Sequence, residues 1–462
     1  MKIKNRDELL SQGDVESRKV VLDVLEASLQ RLDSYELIRQ MLHRDGPVLG
    51  IGRCRWDLRQ KRRVYVVGAG KACNAMARAA EEVLGGWISA GLVIVKSLEC
   101  SSDLRRIELI EGGHPVPNEA GHGAALRILE MVEEARPEDL FIGLISGGSS
   151  ALMNCPVPGI TLEDEMKATE ELLRSGARIL EINAVRRHIS AANGGRLAQK
   201  IEARGSEMIN IIISDSVGKK PTVDPAEPEK FLGTPVAPDA TTLKDALDVV
   251  ARYDLSSRIP RSIVEYLKTN DPARETPKAF SSLISHFVIA RPADACEAAR
   301  EAAGRGGFAG LVLTTLLEGE SREAGGFLAA VAKEASLNDR PLSPPCLLIA
   351  GGETTTKVDG TPGSGGPSQE LALGFSVEVA GRNGFCIGAI DTDGTDGPTE
   401  FAGGITDGHT VERARKKGLN VCESLKSHDS SGLLRRLGDV IITGNTGTNV
   451  CDLNVIYIGP ER

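Results

Sequence analysis

Residues Cys386 to Gly397 read CIGAIDTDGTDG. Four apolar side chains, Cys386, Ile387, Ala389 and Ile390, give way at once to three carboxylates, Asp391, Asp393 and Asp396, set among Thr and Gly. An apolar run of strand length closed by turn residues reads as a buried strand, so its acidic end is expected at the mouth of a sheet, open to water, a metal or a substrate. The same plan recurs at Val64–Lys71 (VYVVGAGK), Phe141–Ser150 (FIGLISGGSS), Asn210–Ser216 (NIIISDS), Leu347–Thr354 (LLIAGGET) and Asp439–Asn449 (DVIITGNTGTN). Strands that end in glycines and small polar groups, with helical stretches between them, specify an α/β fold. In open sheets of that class ligands bind outside the carboxyl ends of the strands, and the chemistry is expected at these junctions.

The 462 residues are enough for two or three domains, each with its own core. Hydrophobic residues at 41% and charged residues at 26% are those of an ordinary globular protein, and a formal charge of -9 argues against a nucleic-acid partner. The start, MKIKNRDELL, has no apolar core behind its charges, and no run approaches the length of a membrane helix, so the chain is expected in the cytoplasm. Nine cysteines are scattered without a Cys-x-x-Cys pair and read as buried thiols. Seven histidines show no ligand spacing, which leaves oxygen ligands and Mg²⁺ for any metal.

Along the chain, Asp14 to His43 has the apolar spacing of one or two amphipathic helices. Val64–Val67 reads as a strand, Gly68-Ala69-Gly70 as a turn and Lys71–Leu84 as a helix. A dinucleotide fingerprint fails here because Cys73 stands at the third glycine position. What remains is a helix N-terminus carrying Lys71, either an anion site or a solvated charge. Gly147 and Gly148 let backbone N–H groups approach an anion, with Ser149 or Ser150 capping the next helix; an ordinary glycine turn accounts for the pattern equally well. A helix over Asn183–Gln199 carries Arg186, Arg187 and His188, an anion grip or a solvated basic face. Asp215 follows a buried strand, where a helix cap, a base or a metal ligand would stand. Val217–Thr242 is proline-rich and loop-like, Asp271–Pro277 reads as a boundary, and Phe287–Ala290 as the start of a second α/β alternation.

Taken in order, these junctions resemble the glycerate 2-kinase family, the two-domain MOFRL-type glycerate kinases. The resemblance runs from about Val64 to Ile458. It is carried by VVGAGKA around Lys71, GGHPVPNEAG (112–121), LISGGSSALM (144–153), INAVRRHISAANGGRLA (182–198), IISDSVG (212–218), GGET (351–354), QELAL (369–373), DTDGTDGPTEFAGG (391–404) and TGNTGTNVCDLNV (443–455). It implies a Rossmann-like N-terminal domain, residues 1–280, and a smaller C-terminal α/β domain, residues 281–462, with the active site in the cleft. It implies transfer of a phosphoryl group from ATP to a hydroxyl of D-glycerate, giving 2-phosphoglycerate. Lys71, Asp215 and Glu353 match positions around the family's active site. Asp391 and Asp393 would hold Mg²⁺. Gly147, Gly148, Ser149, Ser150, Gly365 and Gly366 would bind the nucleotide, and Arg187 an anionic end of the substrate. The implied partner is a small sugar acid, with neither nucleic acid nor membrane, and assembly into a homo-oligomer stays open.

Three departures from the family pattern stand out. Where GGRNQE is usual the chain reads Gly365-Gly366-Pro367-Ser368-Gln369-Glu370, so the family's arginine is missing. Where VGDD is usual it reads Val217-Gly218-Lys219-Lys220, and where SGPTVPD is usual, GTPVAPD. Lys219 or Lys220 is expected to take over the lost arginine's charge, with Lys219 binding substrate; a pocket rebuilt for another short acid such as a tetronate, or drift in a solvated loop, would leave the same trace. Two further readings are a hydroxypyruvate reductase, opposed by the incomplete dinucleotide fingerprint, and a metabolite-binding protein without chemistry.

Overall fold

The computed structural model describes residues 1–98, 104–216, 235–269, 271–358 and 363–460. Lys219, Lys220 and most of the proline-rich loop lie outside the described residues. Fifteen strands occur among those described, in chain order β1 (Leu42–Asp45), β2 (Val48–Ile51), β3 (Cys54–Asp57), β4 (Val64–Ala69), β5 (Ala90–Val95), β6 (Ile107–Glu111), β7 (Leu140–Ile145), β8 (Glu207–Ile213), β9 (Ile284–Ala290), β10 (Ala309–Leu317), β11 (Cys346–Gly352), β12 (Phe385–Asp391), β13 (Gly403–Asp407), β14 (Val440–Ile441) and β15 (Asp452–Ile458). The chain divides into two compact α/β units.

The parallel-sheet unit holds residues 34–214 and 235–289 of those described. Its six strands run in the order β6-β5-β4-β7-β8-β9, with β6 through β8 parallel. This is a doubly wound sheet. The strand order reverses between β4 and β7, so the loops after those two strands flank the crevice where such sheets bind ligands. Both strands are buried along their full length, as their apolar runs require.

The mixed-sheet unit holds residues 1–33, 215–216 and 290–460. Its strands run β10-β11-β15-β12-β13-β14, with β10 and β11 parallel and every other neighbour antiparallel. The helix Pro367–Glu378 is buried all round and lies against β12 and β13. The opening stretch forms β12 as expected, buried up to Ile390 with Asp391 half-buried at its end.

Two segments group differently from a division at residue 280. Residues 284–289 extend the parallel sheet through β9, where Met208 N–H donates to the Leu283 carbonyl (2.8 Å) and Asn210 Nδ2 to that of Ser285 (3.3 Å). Residues 1–33 join the mixed-sheet unit. Asp14 caps the helix Val15–Arg31 by accepting from Ser17 N–H, and the buried stripe Val21, Leu22, Leu25 and Leu29 then faces β12 and β15. Gly388 on β12 leaves room for that stripe: a Cβ there would lie 2.7 Å from both Leu25 Cδ1 and Val21 Cγ1.

The helix expected over Asn183–Gln199 is two, Ile179–His188 and Arg196–Ala203. Gly194 and Gly195 both take left-handed backbone (φ 62° and 82°), and the Ser190 hydroxyl accepts the N–H groups of Ala192 and Asn193 in place of a continuing helix. Among the described residues no helix is long and apolar enough to cross a membrane.

Candidate active site

In the parallel-sheet unit the two switch-point loops are laced together. After β4, Lys71 N–H donates to the Gly147 carbonyl (2.9 Å) and Ala72 N–H to Ser146 Oγ (3.0 Å). Gly70 has φ 151°, and a Cβ there would come within 2.0 Å of Ser146 Oγ, so only glycine lets the loops approach so closely. Gly148, left-handed at φ 85°, stands between two side chains: a Cβ on it would lie 3.0 Å from the His114 ring and 3.3 Å from Lys71 Cγ. Lys71, Gly147 and Gly148 are therefore neighbours as expected. His114, from the GGHPVPNEAG stretch, joins them without having been singled out. Ser149 begins a short helix, Ser149–Leu152, and the Ser150 carbonyl accepts from Asn193 Nδ2 (3.1 Å).

Arg187 lies at the end of its helix and is buried. Its Nη1 donates to Asp239 Oδ1 (3.0 Å), so half of its fork is already committed to a carboxylate. Burial works against the Asp239 charge, but Arg187, the N–H and hydroxyl of Thr241 and nearby His188 outweigh it and hold the carboxyl below its ordinary value. Arg196 braces the break after this helix by donating to the carbonyls of Arg187, His188 and Ser190.

In the mixed-sheet unit three neighbouring strand ends each deliver a carboxylate. Strand register sets Asp452, first residue of β15, opposite Gly352 at the end of β11 on one side and opposite Asp391 at the end of β12 on the other. Glu353 follows Gly352 directly. The two loops that carry Asp391 and Asp452 are stapled by Thr392, whose hydroxyl donates to the Cys451 carbonyl (2.7 Å) and accepts from Val450 N–H (2.9 Å). Cys451 takes left-handed backbone (φ 62°), uncommon for a residue with a side chain, and its thiol donates to the Asp215 carbonyl (2.8 Å). Burial pushes this thiol well above its usual range, and Glu353, Asp215, Asp452 and Asp391 add to the effect in that order. Asp215, Glu353, Asp391 and Asp452 thus all act on one buried thiol.

Asp452 is the residue that sequence reasoning missed. It is buried, and burial followed by the charges of Asp391, Asp396 and Glu353 raises its carboxyl well above the ordinary value, against one N–H bond from Thr354 (3.2 Å). Carboxylates crowded in this way favour a hard divalent cation among them. Among the described residues no three His, Cys, Asp or Glu side chains form a ready-made cage. Mg²⁺ does not need one, since one or two carboxylates with water and phosphate oxygens commonly complete its shell. The donor set fits such an ion. Asp393 is partly spent on its own loop, donating its N–H to Asp391 Oδ1 (3.0 Å) and accepting from the N–H and hydroxyl of Thr395 (2.7 Å each).

The glycine loop has a different occupant from the one expected. Asp396 accepts the N–H groups of Ser368 (3.0 Å) and Gln369 (2.9 Å), so this carboxylate already holds the N-terminus of the helix Pro367–Glu378. A Cβ on Gly366 would lie 2.3 Å from Asp396 Cγ, and one on Gly365 would lie 2.1 Å from Ser430 Oγ. Both glycines therefore have a packing reason. Pro367 occupies the first helical position, where no N–H is needed, so the departure from the family pattern is at home in the fold.

Against known proteins, residues 346–452 match the MOFRL family model, and residues 20–268 match the model described as a domain of unknown function, DUF4147. The glycerate 2-kinase of Pyrococcus horikoshii is 37% identical over 96% of this chain and 98% of its own. The D-glycerate 2-kinase of Thermotoga maritima is 37% identical over 94% of this chain and 97% of its own. The crystal structure of a Thermotoga maritima glycerate kinase superposes with a TM-score of 0.77 at 35% identity, covering 95% of this chain and 99% of that one. A family model over more than half of the chain, and relatives of this identity along nearly all of it, place the chain in the glycerate 2-kinase family.

Proposed function

We propose that the chain transfers the terminal phosphoryl group of ATP to a hydroxyl of D-glycerate, with 2-phosphoglycerate as product. The observation that carries this reading is near-full-length identity to two glycerate 2-kinases, in a chain whose own junction residues gather into the two clusters just described. Phosphoryl transfer asks little covalent chemistry of a protein and much positioning of charge, which fits a lysine on a glycine turn and a row of carboxylates.

Asp215 orients the attacking hydroxyl and takes its proton. Lys71 stabilises negative charge on the transferring group, with His114 beside it as a further donor. Backbone N–H groups of the Ser146–Ser150 turn meet phosphate oxygens, and Arg187 offers the nitrogens that Asp239 leaves to the substrate carboxylate. Asp391, with Asp393 and Asp452 beside it, would hold Mg²⁺, which when bound neutralises phosphate charge. Glu353 keeps that region acidic. Lys219 remains our candidate for the charge that Pro367 does not supply. We place the reaction in the cytoplasm, where ATP is available and buried thiols stay reduced.

The test is ADP release with ATP, Mg²⁺ and a panel of D-glycerate, L-glycerate, erythronate, threonate and hydroxypyruvate, with the product identified by NMR. Turnover of D-glycerate to its 2-phosphate is expected. Turnover of a four-carbon acid instead would transfer the activity to tetronates, and NADH consumption with hydroxypyruvate would replace the kinase with a reductase.

A further inference from the structure

Buried polar atoms normally find partners, and a group that does not asks for an explanation. Among the described residues, 22 buried side-chain nitrogen and oxygen atoms have no hydrogen-bond partner. Nine of them belong to six residues of the parallel-sheet unit: Asn154, Glu165, Thr169, Arg186, Arg187 and Asn193. The concentration marks one place. Glu165 and Thr169 lie one turn apart on the helix Leu162–Arg174, which packs against the helix Ile179–His188 that carries both arginines. The latter also packs on the short helix Ser149–Leu152 that follows the Gly147-Gly148 turn. Asn193 is tied to that region by its Nδ2, which donates to the carbonyls of Ser150 (3.1 Å) and Met153 (3.2 Å), while its Oδ1 has no partner.

Within this cluster the charges are unevenly settled. His188, next in sequence to the arginines, is fully used, its ring bonded to the Ala184 carbonyl (2.8 Å) and to Glu275 (2.7 Å). Arg187 gives Nη1 to Asp239, but its Nε has no acceptor. Arg186, 6% exposed, has neither Nε nor Nη2 bonded. Burial works against its charge, Glu165 supports it, and Arg187 works against it again. Two guanidinium groups close enough to repel each other are thus buried together. Glu165, close enough to feel Arg186, has both carboxyl oxygens unbonded. A buried cation without a bonded partner lowers stability, so an anion, rather than the fold, accounts for Arg186.

We propose that Arg186 is a substrate-binding residue, its Nε and Nη2 joining the free Nε of Arg187 on the carboxylate of a short hydroxy acid, with the amides of Asn154 and Asn193 receiving a hydroxyl of the same acid. This rests on the substrate reading given above. The Nε and Nη2 edge of a guanidinium presents two parallel N–H groups, the geometry that a carboxylate fits. Asp239 and Glu165 already answer the arginines in part, so the positive charge left over is at most about one. That suits a singly charged carboxylate and opposes a phosphate group, which carries nearly two. Asn154 offers both an unbonded donor and an unbonded acceptor, so it can meet a hydroxyl in either direction.

Titration calorimetry of D-glycerate and of erythronate into the full chain without nucleotide, beside steady-state kinetics, tests the site. The wild type is expected to bind at least one of the two acids. Arg186→Met is expected to weaken that binding about 100-fold, and Arg186→Lys about 10-fold, because lysine keeps the charge and loses the fork. In turnover the same factors should appear in KM for the acid, with KM for ATP within about threefold of wild type. Stability gives a second reading, taken at pH 6, below the value of about 7 to which burial pushes the Glu165 carboxyl. There the ligand-free Arg186→Met protein should unfold in urea at a midpoint no lower than wild type, whereas a residue kept for structure would lower it. If the wild type binds an acid through Arg186 yet releases no ADP with any of the panel, the kinase reading falls and the site stands. No binding of either acid by the wild type, full binding by Arg186→Met, a change confined to KM for ATP, or a lowered urea midpoint would each overturn the proposal.

Discussion

Two buried clusters of charge within the mixed-sheet unit differ in one respect, and that difference separates structure from chemistry. Around Arg18, fully buried, opposite charges interlock. Its Nε donates to Asp407 Oδ2 (2.5 Å) and its Nη1 to Asp439 Oδ1 (2.7 Å), while Arg413 donates to Asp439 Oδ2 (2.9 Å). Burial works against the Arg18 charge, but Asp439 and Asp407 outweigh it and hold the guanidinium above its ordinary value. Around Cys451, like charges are gathered instead, and Asp452 responds by holding its proton far more tightly than a free carboxyl would. A chain gains no folding stability by crowding acids together, so the second cluster stores a demand for positive charge that a ligand can meet.

The largest effect is expected where the paired cluster is broken. Arg18→Met leaves Asp407 buried without its ion-pair partner and Asp439 held by Arg413 alone, and should cost about 3–5 kcal/mol in urea unfolding. A loss below ~1 kcal/mol would erase the contrast. Next, Asp452→Asn should lower kcat/KM by about 10²–10³, as loss of a charge-stabilising group does, while leaving the urea midpoint at pH 8 unchanged or higher because one like charge is gone. Destabilisation with full activity would place Asp452 in the structural class.

A third buried acid, Glu165 in the parallel-sheet unit, sharpens the comparison. Burial pushes its carboxyl up to about 7, opposed by the charge of Arg186. The folded state therefore binds a proton that the unfolded state has released, and stability contributed at low pH is lost as pH rises from the ordinary carboxylate range to about 7. The loss is at most about 3 kcal/mol. Glu165→Gln should flatten the urea midpoint across that window, and an unchanged slope would show that Arg186 neutralises the acid fully. The smallest effect is expected at Pro367→Ala, under about 1 kcal/mol, since a proline at the first helical position gives up no hydrogen bond. A larger change in kcat than in stability there would reveal a catalytic part for the loop.

Strands closed by glycine or aspartate were legible because burial and chain reversal leave separate marks in the sequence. Thus β4, β7 and β12 were found together with the residues that follow or end them, Lys71, Gly147 and Asp391. Strands β1, β3 and β6 were not, because LHRD, CRWD and IELIE carry too much charge to read as buried. Asp452 sits inside an apolar run, and its meaning depends on strand register with residues 60 to 100 positions away. The Gly194-Gly195 break was visible as letters, yet a helical period runs on through it. Pro367 read as a lost arginine until the helix beginning at that residue gave it a place.

The helix Val15–Arg31 packs on strands that begin at Phe385, so it leaves the ribosome about 350 residues before its seat exists. At roughly 5–20 residues per second that is a wait of about 20–70 s with Val21, Leu22, Leu25 and Leu29 exposed. One of the first helices to be made is thus among the last to settle. Its greasy stripe is a natural handle for a chaperone during synthesis, and an expression fragment beginning at residue 281 would lack a piece of its own core.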